Sequence, residues 1–412
     1  MQLSSDDLPM FFTPAHAALA ERLRAAAPAI EAIERSADLP DEAARDRAAA
    51  AALGDAGLFE LVVPGASNGP EPANNGPEPV NNAPREATRE APLLSINTRG
   101  LCLAREMLGY VSPRADSILA CQGLGTYALG LAGSPAQRGG LAGFARGTQI
   151  AAFALTEPEA GSDVAAIATR ATPSAEGYRL DGDKLFISNL GIADHAMVVA
   201  TTDPSLKHAG LTAFWLPLDA PGVTVTPLQA IAAHPIGALA LRGVVLPASA
   251  RIGADGQGMK LALATLDAFR VSVGAAAVGM ARRALDEALA FVTGRVQFGK
   301  RLSEQPLVQA HLADMIVDLD AARLLVLRAA YQKDTTGQAM TTEVSIAKLG
   351  ATEAAQRVID RAVQLMGGRG VMAGAVVEQL YRAIRPLRIY EGTSEIQRTI
   401  IGRALAKQGR QP

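Results

Sequence analysis

The sequence predicts an α+β chain with a helical N-terminal domain, a small middle β-sheet or barrel domain and a C-terminal four-helix bundle. Three observations carry that reading. Strand-type alternation is confined to the middle of the chain. Alanine-rich helical periodicity dominates both sides of it. At 412 residues the chain is long enough for two or three domains. The boundaries expected are 1–148, 149–255 and 256–412.

In the first region Thr13-Pro14 is a helix start, a capping hydroxyl followed by proline at the first helical position. Leu39-Pro40-Asp41-Glu42 opens an alanine-rich helix that ends near Gly54 and Gly57. Composition then changes abruptly over residues 66–92. Asn68-Gly69-Pro70-Glu71-Pro72-Ala73-Asn74 is followed at once by Asn75-Gly76-Pro77-Glu78-Pro79-Val80-Asn81, a near-duplicate with a decaying third copy. Repeated proline excludes helix or central strand, and nothing apolar is available to bury, so a surface loop is expected. Helical pattern resumes over Leu101 to Leu108 and Ala115 to Leu131.

The middle region reads as strands. Tyr178 to Ile187 is two alternating runs joined at Asp181-Gly182, which predicts a hairpin. Ala196 to Ala200, Leu211 to Leu216 and Leu239 to Leu246 are further strands, separated by Gly, Pro and Asp. From Gly258 onward the pattern is helical again, over Val273 to Val292, Gln305 to Tyr331 and Val344 to Met366. Their small, dense apolar faces suit close packing in a bundle.

Composition excludes several function classes. A net charge of −2 gives no electrostatic reason to expect nucleic acid or an anionic membrane. No run approaches the roughly 20 apolar residues of a membrane span. The acidic, polar start Met1 to Asp7 lacks the pattern of a signal peptide, so a cytoplasmic location is the expectation. Cys102 and Cys121 are too few for a disulfide framework and read as buried small hydrophobes. His16, His195, His208, His234 and His311 are scattered without metal-ligand spacing, so no metal is expected. No Gly-x-Gly-x-x-Gly or P-loop pattern occurs, so any nucleotide is held by other means.

Two segments carry the chemistry. Tyr390-Glu391-Gly392-Thr393-Ser394-Glu395-Ile396, together with the upstream Thr156-Glu157-Pro158-Glu159-Ala160-Gly161-Ser162-Asp163, resembles the two signatures of the acyl-CoA dehydrogenase family. Members of that family are flavoenzymes that desaturate acyl thioesters and hold FAD without a Rossmann domain. The α, β, α order agrees, and the resemblance runs over nearly the whole chain. Read alone, Glu391 is more simply a glutamate near a helix start, with Thr393 or Ser394 as cap.

The resemblance implies that Glu391 removes the α-proton of an acyl-CoA while flavin N5 accepts the β-hydride, leaving a trans-2-enoyl thioester. It also implies that the enolate oxygen is held by the Glu391 backbone N–H and the FAD ribityl 2′-hydroxyl. Thioester desaturation needs a base beside a weakly acidic α-proton and stabilisation of the developing enolate. Burial beside an acyl chain would raise the pKa of such a carboxylate, and Gly392 would let substrate and backbone approach closely.

By the same resemblance, Phe153, Leu155 and Thr156 line the flavin, and Ser162 contacts FAD or the thioester arm. Phe186 covers one flavin face and Ser188 reaches N5, standing where many members have tryptophan and threonine. Thr393 and Glu395 are further cofactor contacts. Asp267 and Arg270, read as opening the long helix, lie along the substrate, with Arg270 on its CoA portion. Arg295 and Phe298 reach the FAD of a neighbouring subunit, and Gln364 and Gly368 touch the same adenosine. A homo-oligomer, usually a tetramer, and an electron-transfer flavoprotein as electron acceptor are therefore implied.

The chain departs from the family pattern in places. Its repeat replaces a Tyr-Gly-Gly-like turn. Gln305-Pro306 stands where a Phe-Gln pair is common, and Arg382-Ala383 where Arg-Asp is. Some members carry their base just before the arginine of the long helix; here that residue is Phe269, which cannot serve. Alternative readings are an acyl-CoA oxidase-like enzyme, a dehydrogenase of carrier-protein thioesters, and a flavin-binding member without turnover.

Overall fold

The computed structural model describes residues 1–65, 96–338 and 340–408, so the Asn/Pro repeat lies outside the described residues. Four main helices form the first layer: α1 (Pro14–Arg35), α2 (Glu42–Asp55), α3 (Thr98–Val111) and α4 (Pro113–Ala132). Their starts follow the local signals. The Asp41 side chain accepts from the Ala44 N–H at 2.7 Å, and Ser112 accepts from the Ala115 N–H at 3.0 Å. At Thr13 the cap is a histidine. His16 Nδ1 accepts from the Thr13 N–H at 3.1 Å, while its Nε2 faces Asn97 Oδ1 at 2.9 Å. Neutral His16 thus fastens the start of α1 to the start of α3, which accounts for one of the scattered histidines.

Eight strands make one sheet: β1 (Ala151–Ala154), β2 (Arg170–Ser174), β3 (Gly177–Ser188), β4 (His195–Thr201), β5 (Leu211–Pro217), β6 (Val223–Pro227), β7 (Ile236–Pro247) and β8 (Arg251–Ile252). Their order is β6-β7-β3-β2-β4-β5-β8, with β1 parallel to β4. The hairpin expected at Asp181-Gly182 is not there. β3 runs straight through those residues, and the tight turn joins β2 to β3, where Ser174 pairs with Gly177. Asp181-Gly182 is instead a bulge opposite β7. Asp181 Oδ1 accepts from the Gly243 N–H at 2.7 Å, so the ladder absorbs the polar pair that looked like turn chemistry.

The third layer comprises α5 (Gly258–Gly294), α6 (Pro306–Thr336), α7 (Thr341–Met366), α8 (Val376–Leu387) and α9 (Ser394–Gln408). A two-stranded hairpin, β9 (Val296–Gln297) and β10 (Lys300–Arg301), projects between α5 and α6. α5 begins well before Val273, because Leu261, Ala262, Thr265, Ala268 and Phe269 continue its buried face. By length and composition this helix could cross a membrane, which corrects the expectation that no such run exists. Yet 78% of its most apolar window is buried inside the protein, so it reads as a core helix.

α5 is the axis of the molecule, with α3 packed on one side and α7 on another. The α3–α5 crossing is close enough to exclude side chains. A Cβ on Gly279 would lie 2.0 Å from the Glu106 carbonyl oxygen, and one on Gly109 would lie 2.2 Å from that of Ala276. Both obstacles are backbone and cannot rotate away. Gly279→Ala is therefore expected to destabilise the fold by about 3 kcal/mol, the upper end of overpacking costs. Urea denaturation checks this: the midpoint should fall with little change in slope.

Candidate active site

The turn between α8 and α9 brings the carboxylate of Glu391 into the interior. Glu391 has a left-handed backbone, φ 53°, and Gly392 follows at φ 89°. For a residue with a Cβ that conformation costs about 1–2 kcal/mol, so the surroundings must enforce it. They do so by gripping three successive carbonyls. Lys348 Nζ, from α7, donates to the Tyr390 carbonyl at 2.9 Å and to that of Gly392 at 2.5 Å. Arg270 Nε, from α5, donates to the Glu391 carbonyl at 3.2 Å. Gln397 Nε2, from α9, donates to the Gly392 carbonyl at 3.0 Å and more weakly to that of Glu391 at 3.4 Å. Only glycine fits at 392, where a Cβ would stand 2.5 Å from that amide nitrogen.

An outer clamp flanks this grip. Glu353 of α7 accepts from Arg388 Nε at 3.0 Å and from the Ser394 hydroxyl at 2.6 Å, one on each side of the turn. Thr393 Oγ1 accepts from the Ile396 N–H at 3.3 Å, which makes it the cap of α9.

Glu391 Oε2 is buried and has no hydrogen-bond partner. Burial pushes the carboxyl pKa up, opposed by the positive charges of Arg105, Lys348 and Arg270. Arg105, wholly buried on α3, grips Asp116 of α4 through two bonds of 2.8 Å and donates to Ser272 Oγ at 3.0 Å. Burial brings the Lys348 ammonium down to about 8. Cys121 also faces this region, its thiol pushed up to about 12 by burial and turned toward the Ser188 hydroxyl.

The substrate-side expectations need one correction. Asp267 and Arg270 do not open a helix but lie well inside α5. The two pair with each other at 3.2 Å, and Arg270 is buried against the Glu391 backbone. Ser162 is exposed in the loop after β1.

The loop after β1 is anchored by a residue the motif reading passed over. The Glu157 carboxylate accepts from the N–H groups of Ala168 and Thr169 at 2.7 and 3.0 Å, and from the buried Lys184 Nζ of β3 at 2.8 Å. Beside it Phe153 and Thr156 are half-buried and Leu155 is buried. At the end of β3 the backbone turns left-handed at Phe186, φ 58°, and at Asn189, φ 68°. Asn189 Nδ2 donates to the carbonyls of Ala151 and Ile118 at 3.0 and 3.3 Å, pinning β3 to β1 and α4. The Phe186 ring stands 62% exposed, with Ser188 half-buried next to it.

The remaining residues gather at one end of the bundle. Phe298, φ 53°, and Gly299, φ 78°, form the two-residue turn of the projecting hairpin. Phe298 is 96% exposed at its tip. Arg295 at its base is exposed, with no ion-pair partner among the described residues. Gln364 and Gly368, both exposed, lie at the end of α7, where Arg369 covers the Phe291 ring of α5 at 5.7 Å. Of the departures, Arg382 takes Glu378 one turn away as its partner at 2.7 Å, and Gln305 precedes Pro306, the first residue of α6. Glu395 is exposed in the first turn of α9.

The chain's residues fit a flavin. An aromatic ring held outward on strained backbone, a hydroxyl beside it, and a buried carboxylate oxygen without a partner are features that a planar cofactor and its substrate would use. Lys348, Gln397, Arg105, Asp116 and Ser272 were not singled out from sequence. For Lys348 the signal was a lysine sharing one helical face with Ser345 and Thr352 between alanines, a buried pattern.

Residues 152–244 match the middle-domain model of acyl-CoA dehydrogenases, and residues 256–406 match the C-terminal-domain model. The short-chain specific acyl-CoA dehydrogenase of Bos taurus mitochondria is 38% identical over 273 residues, 66% of each chain. Among solved structures, butyryl-CoA dehydrogenase from Megasphaera elsdenii superposes with a TM-score of 0.81 at 30% identity, covering 96% of this chain and 99% of that one. A glutaryl-CoA dehydrogenase from Mycobacterium smegmatis in complex with FADH2 gives 0.82 at 27% identity, covering 98% and 97%. The chain belongs to the acyl-CoA dehydrogenase family, a family of oxidoreductases.

Proposed function

We propose that this chain is an FAD-dependent dehydrogenase that converts an acyl-CoA to a trans-2-enoyl-CoA, with Glu391 as the α-proton base. One observation carries the reading: an unpartnered, buried carboxylate oxygen on a backbone turn that three helices hold in place. Short acyl chains come first as substrates, since the Bos taurus relative is short-chain specific and the Megasphaera structure is a butyryl-CoA dehydrogenase.

Phe153, Leu155, Thr156, Ser162, Phe186, Ser188, Thr393 and Glu395 are the residues that would hold the cofactor within one chain. Bound FAD supplies the two-electron acceptor for the β-hydride. Glu391 takes the α-proton on Oε2, and burial favours the neutral acid it becomes. Arg105, Lys348 and Arg270 oppose that burial and favour the ionised form a base must start from. Activity should therefore rise with pH as Glu391 ionises, with a midpoint above the ordinary carboxylate range.

Arg295, Phe298, Gln364 and Gly368 are proposed to complete the cofactor site of a neighbouring subunit. Their support is a solvent-facing aromatic tip and an exposed arginine without an ion-pair partner among the described residues. A homotetramer and an electron-transfer flavoprotein as acceptor follow from the family resemblance.

Anaerobic mixing of FAD-replete protein with butyryl-CoA tests the base. Wild type should bleach the flavin band, and Glu391→Gln should slow bleaching at least about a thousandfold with cofactor content unchanged. Bleaching by the variant at the wild-type rate would remove Glu391 from the chemistry. A second measurement addresses the shared site. The double variant Arg295→Ala, Phe298→Ser should retain less flavin per chain on gel filtration while its circular dichroism stays native. Unchanged retention would sink the intersubunit reading.

A further inference from the structure

Lys348 is a fully buried ammonium with no carboxylate oxygen in ion-pair distance among the described residues. A buried charge is costly to keep unless something specific compensates it. Its hydrogen bonds go to two neutral carbonyls, those on either side of Glu391. Titratable groups face this region from α3, α4, α5, α7, α9 and the turn itself. They are Arg105 of α3, Asp116 and the Cys121 thiol of α4, Asp267 and Arg270 of α5, Glu353 of α7, Tyr390 in the turn itself, and Glu395 of α9.

These groups sort into pairs. Arg105 is taken up by Asp116, Arg270 by Asp267, and Glu353 by Arg388. Glu395 is exposed beside Arg398, so Lys348 and the carboxylate of Glu391 are the buried cation and anion of this group without an ion-pair partner among the described residues. Glu391 is foremost among the charges acting on Lys348, while Arg105 acts on Glu391 ahead of Lys348. The ammonium is thus a buried cation without an ion-pair partner among the described residues, held beside the base by the same two bonds that fix the base's backbone.

We infer that Lys348 is a positioning residue for Glu391, fixing the left-handed turn through the Tyr390 and Gly392 carbonyls and adding, beside Arg105 and Arg270, a buried positive charge next to the turn that carries the carboxylate. This assignment rests on the reading of Glu391 as the proton acceptor. It separates two jobs that different substitutions can tell apart. Lys348→Arg keeps donor and charge, Lys348→Gln keeps a donor without charge, and Lys348→Met keeps neither.

The test is an infrared titration of the protonated-carboxyl band that disappears in Glu391→Gln, run on the FAD-loaded protein and each variant. The midpoint should rise by about one pH unit, a tenfold gain in proton affinity, in Lys348→Gln and Lys348→Met, and stay near wild type in Lys348→Arg. The pH profile of flavin reduction by butyryl-CoA should shift its acidic limb by the same amount. A variant that loses thermal stability while its midpoint stays at the wild-type value has lost only a structural tie, and the inference is overturned. Should Lys348→Met not fold, Lys348→Gln decides by the same criterion. The infrared readout needs no turnover. A wild type that titrates as expected but is bleached by no acyl-CoA refutes the dehydrogenase reading separately from the coupling between the two residues.

Discussion

Everything at the site depends on three carbonyls being held at once. Tyr390, Glu391 and Gly392 form a turn that no isolated chain would favour, and its conformation survives because Lys348, Arg270 and Gln397 donate into it from three different helices. Two of those donors are cations. The hydrogen bonds that set the shape of the turn therefore also set its field. Burial drives Glu391 toward neutrality and the cations oppose it, with burial prevailing.

The buried polar network extends that arrangement into the scaffold. Arg105 and Asp116 close a bidentate pair between α3 and α4, and Ser272 ties the same guanidinium to α5. On the sheet side, Glu157 and Lys184 do comparable work for the loop after β1. Such pairs contribute little net stability, yet breaking one strands its partner in a low-dielectric interior. They define which packing is the right one. The β domain is tied to α4 by a separate polar contact, the Asn189 amide donating to the Ile118 carbonyl.

What was legible in the sequence was whatever local chemistry dictates. Helix starts at Thr13 and Asp41 follow from side chains within a few residues of the backbone they cap. The Tyr390–Ile396 and Thr156–Asp163 segments were legible because their residue order is distinctive. Asp181-Gly182 misled for the same reason that it attracted attention: the pair suits a turn, but its partner Gly243 lies on another strand and claims the aspartate. Arg270 was set along the substrate by resemblance, and nothing in its own neighbourhood announces that it also holds the Glu391 carbonyl. Lys348 and Arg105 stayed hidden because their meaning lies in contacts 42 and 11 residues away or more. Linear patterns show which residues are buried far better than which buried residues meet.

The α3–α5 crossing has a consequence for how this scaffold can diversify. With Gly109 and Gly279 in backbone contact with the opposite helix, the two helices cannot slide or draw nearer without collision. Arg105 and Arg270, one on each, are locked to a common frame. Any descendant that remodels the space beside Glu391 is therefore restricted to exchanging side chains, at positions such as Cys121, while the helical framework stays still. Diversification here would proceed by refurnishing a fixed room rather than moving its walls.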